Sequence, residues 1–142
     1  MAQDTTIPSQ MQGMNEKQKV SFTRNIIALL DDWKVKDGDQ VSLLGLPDDT
    51  RSRQIRSFRQ GSSIFPEDSQ RLNEYIDHLL GIADALRTSN PCNATAGSMW
   101  MNRVNNRFQD RTPVNAMLED GINGIVAVRI HLDCAYDWHI SS

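Results

Sequence analysis

Residues 71–87 read RLNEYIDHLLGIADALR, and the fold class turns on this run. Leu72, Tyr75, Ile76, Leu79, Ile82, Ala83 and Leu86 recur at steps of three and four. That spacing gathers side chains on one stripe of an α-helix, whereas a strand would alternate them between two faces. A stripe of this length must be covered by other parts of the chain. Pro66 at a first-turn position, with Glu67 and Asp68 beside the positive end of the helix dipole, predicts where the helix opens.

Working outward from this helix, the preceding segment QVSLLGLPDDTRSRQIRSFRQG (40–61) predicts a short helix from Gln40 to Leu44 and a tight turn around Gly45. A second helix would start near Asp48 or Asp49, either of which suits an N-cap. Further upstream, Asn15 followed by Gln18 fits a capping box. It opens a helix running to about Trp33, with Val20, Ile26, Ile27, Leu30 and Trp33 on one stripe. Residues 1–14, rich in Gln, Thr, Ser and Met without period, read as a flexible tail. Downstream, TSNPCNATAGS (88–98) has the composition of a loop and marks a boundary. Thr112-Pro113 reads as an N-cap followed by Pro at N1, opening a short helix to about Leu118, and Gly121 and Gly124 bracket a turn. A last helix with Ile125, Val128, Leu132 and Tyr136 on one face ends near Trp138. No strand alternation occurs, so the expected class is all-α. The layout is a helix-turn-helix-like region over 15–88, whose long helix connects to a small helical domain over 98–142.

With 142 residues, the chain can build one real core but not two independent ones. No apolar run approaches the ~20 residues of a membrane span, and the N-terminus lacks a basic region followed by an apolar one, so a cytoplasmic protein is expected. Cys92 and Cys134 are too few for a disulfide framework or a four-cysteine zinc site. Signatures of phosphate-binding loops, dinucleotide folds, zinc proteases and serine hydrolases are absent. We therefore expect no enzyme, no catalytic residues, no metal and no cofactor. His131 and Cys134 share a face of the last helix but fall short of a zinc ligand set, and read better as an interfacial imidazole and a small buried thiol. His78 reads as a solvated or locally bonded side chain. A small enzyme assembled in space would have to draw on His78, His131 and His139.

Charge is unevenly placed. The chain carries 15 basic and 18 acidic residues, a net −3. From Ser63 onward there are 6 basic against 10 acidic residues, whereas residues 51–59 hold four arginines and no acid. Arg51, Arg53, Arg56 and Arg59 would suit the phosphates of DNA if the helix bearing them faced outward after a turn. Arg51 and Gln54 stand where such a helix would normally carry apolar packing residues, which suggests a rotated helix. The segment 98–142 holds Trp100, Met101, Phe108, Met117, Leu118, Tyr136 and Trp138, more than so short a piece can bury by itself. Surplus aromatics of this kind suggest a protein interface. Arg129 lies within the apolar face of the last helix and calls for a carboxylate, such as Asp133 one turn on or one from a partner.

Three runs carry a resemblance: FTRNIIALLDDWKVKDGDQVSLLGLPDDT (22–50), RLNEYIDHLLGIADALR (71–87) and WMNRVNNRFQDRTPVNAMLEDGINGIVAVRIHLDCAYDW (100–138). Together they resemble the Xre/MbcA/ParS antitoxins, the partners of RES-domain toxins in type II toxin-antitoxin modules. Trp100, Asn105, Phe108, Pro113, Gly124, Val128 and Leu132 match the family's C-terminal pattern; Val104 stands where Pro is usual and Asp110 where Gly is usual. The resemblance implies a C-terminal domain that docks over the active site of an NAD+-degrading or ADP-ribosylating toxin. Trp100, Asn105, Phe108, Arg129, Asp133 and Tyr136 would contact it, and the chain end, Trp138, His139, Ile140, Ser141 and Ser142, would lie at its NAD pocket. It further implies a homodimer within the toxin-antitoxin complex and an N-terminal region that in many members represses the module's own promoter by binding operator DNA. The rival expectation is a stand-alone helix-turn-helix transcription regulator whose C-terminal domain serves dimerisation.

Overall fold

A computed structural model describes the backbone over residues 10–93 and 95–141, and side chains as far as Cys134. The described chain is all-helical: α1 (Glu16–Asp32), α2 (Asp37–Leu43), α3 (Ser52–Gln60), α4 (Gln70–Ser89), α5 (Ala96–Met101), α6 (Pro113–Asp120) and α7 (Ile122–Ser141), with a 3₁₀ turn at Asn106–Phe108. No strand occurs among the described residues; an isolated bridge pairs Asn105 with Arg111. No described helix is long and apolar enough to cross a membrane.

The long helix is organised as its sequence predicts. Leu72, Tyr75, Ile76, Leu79, Ile82 and Leu86 of α4 are buried, and α7 and α5 pack against the helix. α7 also packs on α6, while α1 and α2 hold α3. Met101, Phe108 and Met117 from the C-terminal segment join the same apolar cluster as Ile27, Leu30 and Trp33 from the α1 region. The two sides of the loop at 88–98 thus share one core, as the chain's length requires. Two remote hydrogen bonds tie them further. Ser98 Oγ donates to the Asp32 carbonyl, and Asn102 Nδ2 donates to the Trp33 carbonyl at 2.9 Å, satisfying acceptors that the end of α1 leaves open.

Some helix starts differ from expectation, for reasons that vary from one helix to the next. Asn15 and Gln18 form the predicted reciprocal capping box. α2, however, begins at Asp37, ahead of Gln40. α3 begins at Ser52, with Arg51 at the N-cap position, because Pro47 and Thr50 close a turn (Thr50 N to Pro47 O, 2.9 Å) that takes in Asp48 and Asp49. The connection over 44–51 is longer than the ~3–4-residue turn of a helix-turn-helix. α4 opens at Gln70, after Pro66, Glu67 and Asp68, because Ser69 Oγ accepts from Leu72 N. The segment before it is pinned by Phe65, which is buried, stacks edge-on to Phe58 and donates its backbone N–H to Thr23 Oγ1. Within the tail assigned to 1–14, residues 1–9 lie outside the described chain, and Met11 is buried in the core.

Thr112 and Pro113 cap α6 as predicted. Gly121, at φ 66° and ψ −140°, takes a conformation open essentially to glycine alone and turns the chain into α7. Gly124 then lies against α6 so closely that a Cβ there would collide with the Ala116 carbonyl. We expect Gly124→Ala to destabilise the protein by about 1–3 kcal/mol, the usual cost of overpacking, measured by urea unfolding followed by circular dichroism. A loss below ~0.5 kcal/mol, the level of an ordinary surface change, would show that α7 shifts freely on α6.

Candidate functional site

Two surfaces carry the residues singled out by sequence. On α3, burial of Ile55 and Phe58 leaves Arg51, Arg53 and Arg56 exposed. Gln54, at a position where an apolar residue was expected, is accommodated by donating to Ser63 Oγ at 3.0 Å. Arg59 does not join the exposed set. Its Nε and Nη2 donate to the two Asp31 oxygens at 2.9 and 2.8 Å, and Nη2 also donates to Asp37 Oδ1 at 2.7 Å. Burial alone would push the Asp31 carboxyl up, but hydrogen bonds from Arg59 and Gln40 outweigh it and hold the carboxyl below the ordinary carboxylate range. The same pairing pushes the Arg59 guanidinium further up. This arginine therefore clamps α3 to the end of α1 and the start of α2, leaving three outward cations.

The second surface is assembled from α5, the 3₁₀ turn and α7. The Trp100 and His131 rings lie nearly parallel, 9° apart in plane with centroids at 5.8 Å. Phe108 meets both edge-on, at 6.2 Å from Trp100 and 5.5 Å from His131. Phe108 is buried, whereas Trp100 and His131 are half-buried. Asn105 holds the turn by accepting from Arg107 N at 2.9 Å. Gln109 and Asp110 both take φ 60°, and aspartate is among the residues that tolerate the left-handed region at such a bend. Arg111 closes the bend, donating to the Phe108 carbonyl and to Glu119 and Asp120, each at 2.9 Å. Its hydrogen bonds hold the Asp120 carboxyl below the ordinary range.

Trp100, Asn105 and Phe108 thus come together, but Arg129 and Asp133 lie on another face of α7, two residues to either side of His131. Arg129 rests over Gly81, where any Cβ would strike its guanidinium. Its Nη1 reaches Asp77 Oδ2 at 3.2 Å and His78 Nδ1 at 3.1 Å, and its Nε lies 3.9 Å from Asp133. The expected carboxylates therefore come from this chain. Cys134 is exposed, not the buried thiol expected, because α7 turns that position away from α4 and α6. The side chains of Tyr136, Trp138, His139, Ile140 and Ser141, and all of Ser142, lie outside the described residues. Among those described, no cluster of three or more His, Cys, Asp or Glu side chains could hold a metal.

His131 is the member of the aromatic cluster that sequence reading assigned only as an interfacial imidazole. Its neighbours come from segments more than twenty residues upstream, so no local spacing announces them. Burial against Trp100 and Phe108, with a smaller contribution from the Arg107 charge, lowers its pKa below the ordinary 6.5. The unfolded chain then binds the extra proton first, so this contribution to stability is complete above pH ~6.5 and disappears as pH falls through the lowered value. We expect the wild-type melting temperature to fall more between pH 7.5 and pH 5 than that of His131→Asn, measured by differential scanning calorimetry. Equal pH dependence would mean that the ring is not desolvated in the cluster.

No family model matches the chain. Over 105 residues, covering 74% of this chain and 76% of the other, it is 30% identical to a protein of Sinorhizobium fredii described as uncharacterized protein y4oB. At that identity and coverage this chain belongs to the same family as y4oB.

Proposed function

We propose that the protein is an antitoxin that neutralises a RES-domain toxin, an enzyme that degrades NAD+ or uses it for ADP-ribosylation, by covering the toxin's active site with the C-terminal helical unit. The observation that carries this reading is that the residues of the antitoxin-like pattern each serve one continuous structure. Trp100 and Phe108 pack together, Asn105 caps the turn between them, Pro113 opens α6, Gly124 permits close contact of α7 with α6, and Val128 and Leu132 are buried behind them. Half-buried Trp100 beside exposed Met99 and Val104 (54% and 62%) is the kind of aromatic and aliphatic surface on which protein contacts are anchored. Steric occlusion by such a surface requires no chemistry from this chain. Under this reading the chain acts as a homodimer in the complex, and the outward Arg51, Arg53 and Arg56 support an accompanying role in binding operator DNA within a helix-turn-helix-like region.

Co-expression with its cognate RES-domain toxin, under this reading the product of a neighbouring gene, should restore growth to cells that the toxin arrests. Removal of Trp138–Ser142 should weaken that rescue without lowering the melting temperature of the remainder. Continued arrest in the presence of the full chain would remove the main support for the reading, and full rescue by the truncated chain would show that the chain end is not the plug. The DNA role is tested separately by mobility shift on the upstream promoter fragment. At low salt, where phosphate contacts are strongest, Arg53→Ala with Arg56→Ala should abolish a shift that Arg59→Ala alters only through loss of stability. An unshifted fragment with the wild-type chain would reject the DNA role.

A further inference from the structure

Four arginines follow the loop at 88–98, and they fall into two kinds. Arg111 and Arg129 are each matched by carboxylates of this chain. Arg103 and Arg107 are exposed, and no described carboxylate lies within ion-pair distance of either. Both belong to the short stretch between Trp100 and Phe108, in the half of the molecule whose charge is otherwise strongly negative. Exposed Val104 lies in the same stretch, and exposed Met99 immediately precedes it. Beside it runs a groove of about 390 Å³ in which Leu86, Met99, Trp100 and Leu132 face the polar side chains of Asn90, Asn93 and Arg103. One groove therefore brings apolar and amide side chains together with Arg103, Arg107 lies nearby on the same stretch, and neither arginine has a counter-charge among the described residues.

We propose that this groove receives an apolar side chain of the partner protein that is flanked by acidic residues, with Arg103 and Arg107 as the charges that select it. The inference rests on the antitoxin reading and adds which part of the unit the toxin grips and with what chemistry. A protein segment fits better than nucleic acid. The described Trp100 and His131 rings pack on one another, which uses one face of each that a base would otherwise stack on. Met99 and Val104 present aliphatic surface that suits a Leu, Ile or Phe insert. Charges at the edge of an apolar contact act mainly on association rate and partner choice, and their effect is screened by salt.

The test measures association of the purified full chain with the cognate RES-domain toxin that the antitoxin reading requires, by surface plasmon resonance at low and at high NaCl concentration. Arg103→Glu with Arg107→Glu should slow association by about tenfold or more at low salt and flatten its salt dependence. Met99→Ser with Val104→Ser should instead speed dissociation. All four positions are exposed, and unchanged melting curves would confirm that the variants fold. Wild-type kinetics in both double variants would overturn this inference and leave the antitoxin reading standing. Absence of toxin binding by the wild-type chain would overturn both. A mobility shift of single-stranded or duplex oligonucleotides that the Arg103→Glu, Arg107→Glu variant loses, with toxin association unaffected, would assign the two arginines to nucleic acid and reject the protein partner.

Discussion

Burial of the apolar stripe of α4 is the constraint on which the other contacts depend. Each of Leu72, Ile76, Leu79 and Ile82 is at most 1% exposed, and burying a side chain of this kind is worth roughly 1.5–3 kcal/mol. α7 supplies the largest part of the cover, and it lies flat because glycine occupies the close approaches. Gly81 makes room for the Arg129 guanidinium, and Gly124 makes room for the Ala116 carbonyl. The close fit also explains why a basic residue sits in the seam. Arg129 finds Asp77, His78 and Asp133 around it, so a cation enters the helix contact without leaving an unpaired charge.

The division of labour among arginines follows from the same packing. Arg59 and Arg111 each bridge two acidic side chains and hold a segment in place. These pairs are partly solvated and individually modest in energy; their effect is geometric. Arg59 orients α3 so that its remaining arginines point away from α1, and Arg111 sets the bend that brings Phe108 under Trp100 and His131. Structural arginines thus position the exposed ones.

The helices were legible because apolar periodicity is a local signal, and the caps at Asn15, Thr112 and Pro113 were legible for the same reason. Helix starts were misread where two residues competed for one cap: Ser69 prevails over the Pro66 turn because its hydroxyl reaches an amide, and Asp48 and Asp49 are drawn into the turn that Pro47 begins. Of the candidate surfaces, the arginine-rich face of α3 could be seen in sequence because its members are neighbours on one helix. What could not be seen was the withdrawal of Arg59, since Asp31 and Asp37 lie 28 and 22 residues upstream. The aromatic cluster was half visible. Trp100 and Phe108 stood out by type, but His131 joins them only through the packing of α7, and the different fates of Arg103 and Arg111 depend on which carboxylates the fold brings near.

The bonds from Ser98 and Asn102 to the carbonyls at the end of α1 bear on the order in which the chain can assemble. They close loops of 66 and 69 residues, among the longest-range connections in the molecule. A nascent chain that has been synthesised only as far as Asn90 has α1 to α4 available, yet its first helix still lacks both donors, and the α4 stripe still lacks α7. Completion of the native core consequently waits until α5 to α7 have been made. Until then the exposed α4 surface is a sticky intermediate, of the kind that a partner or a chaperone present during synthesis would encounter.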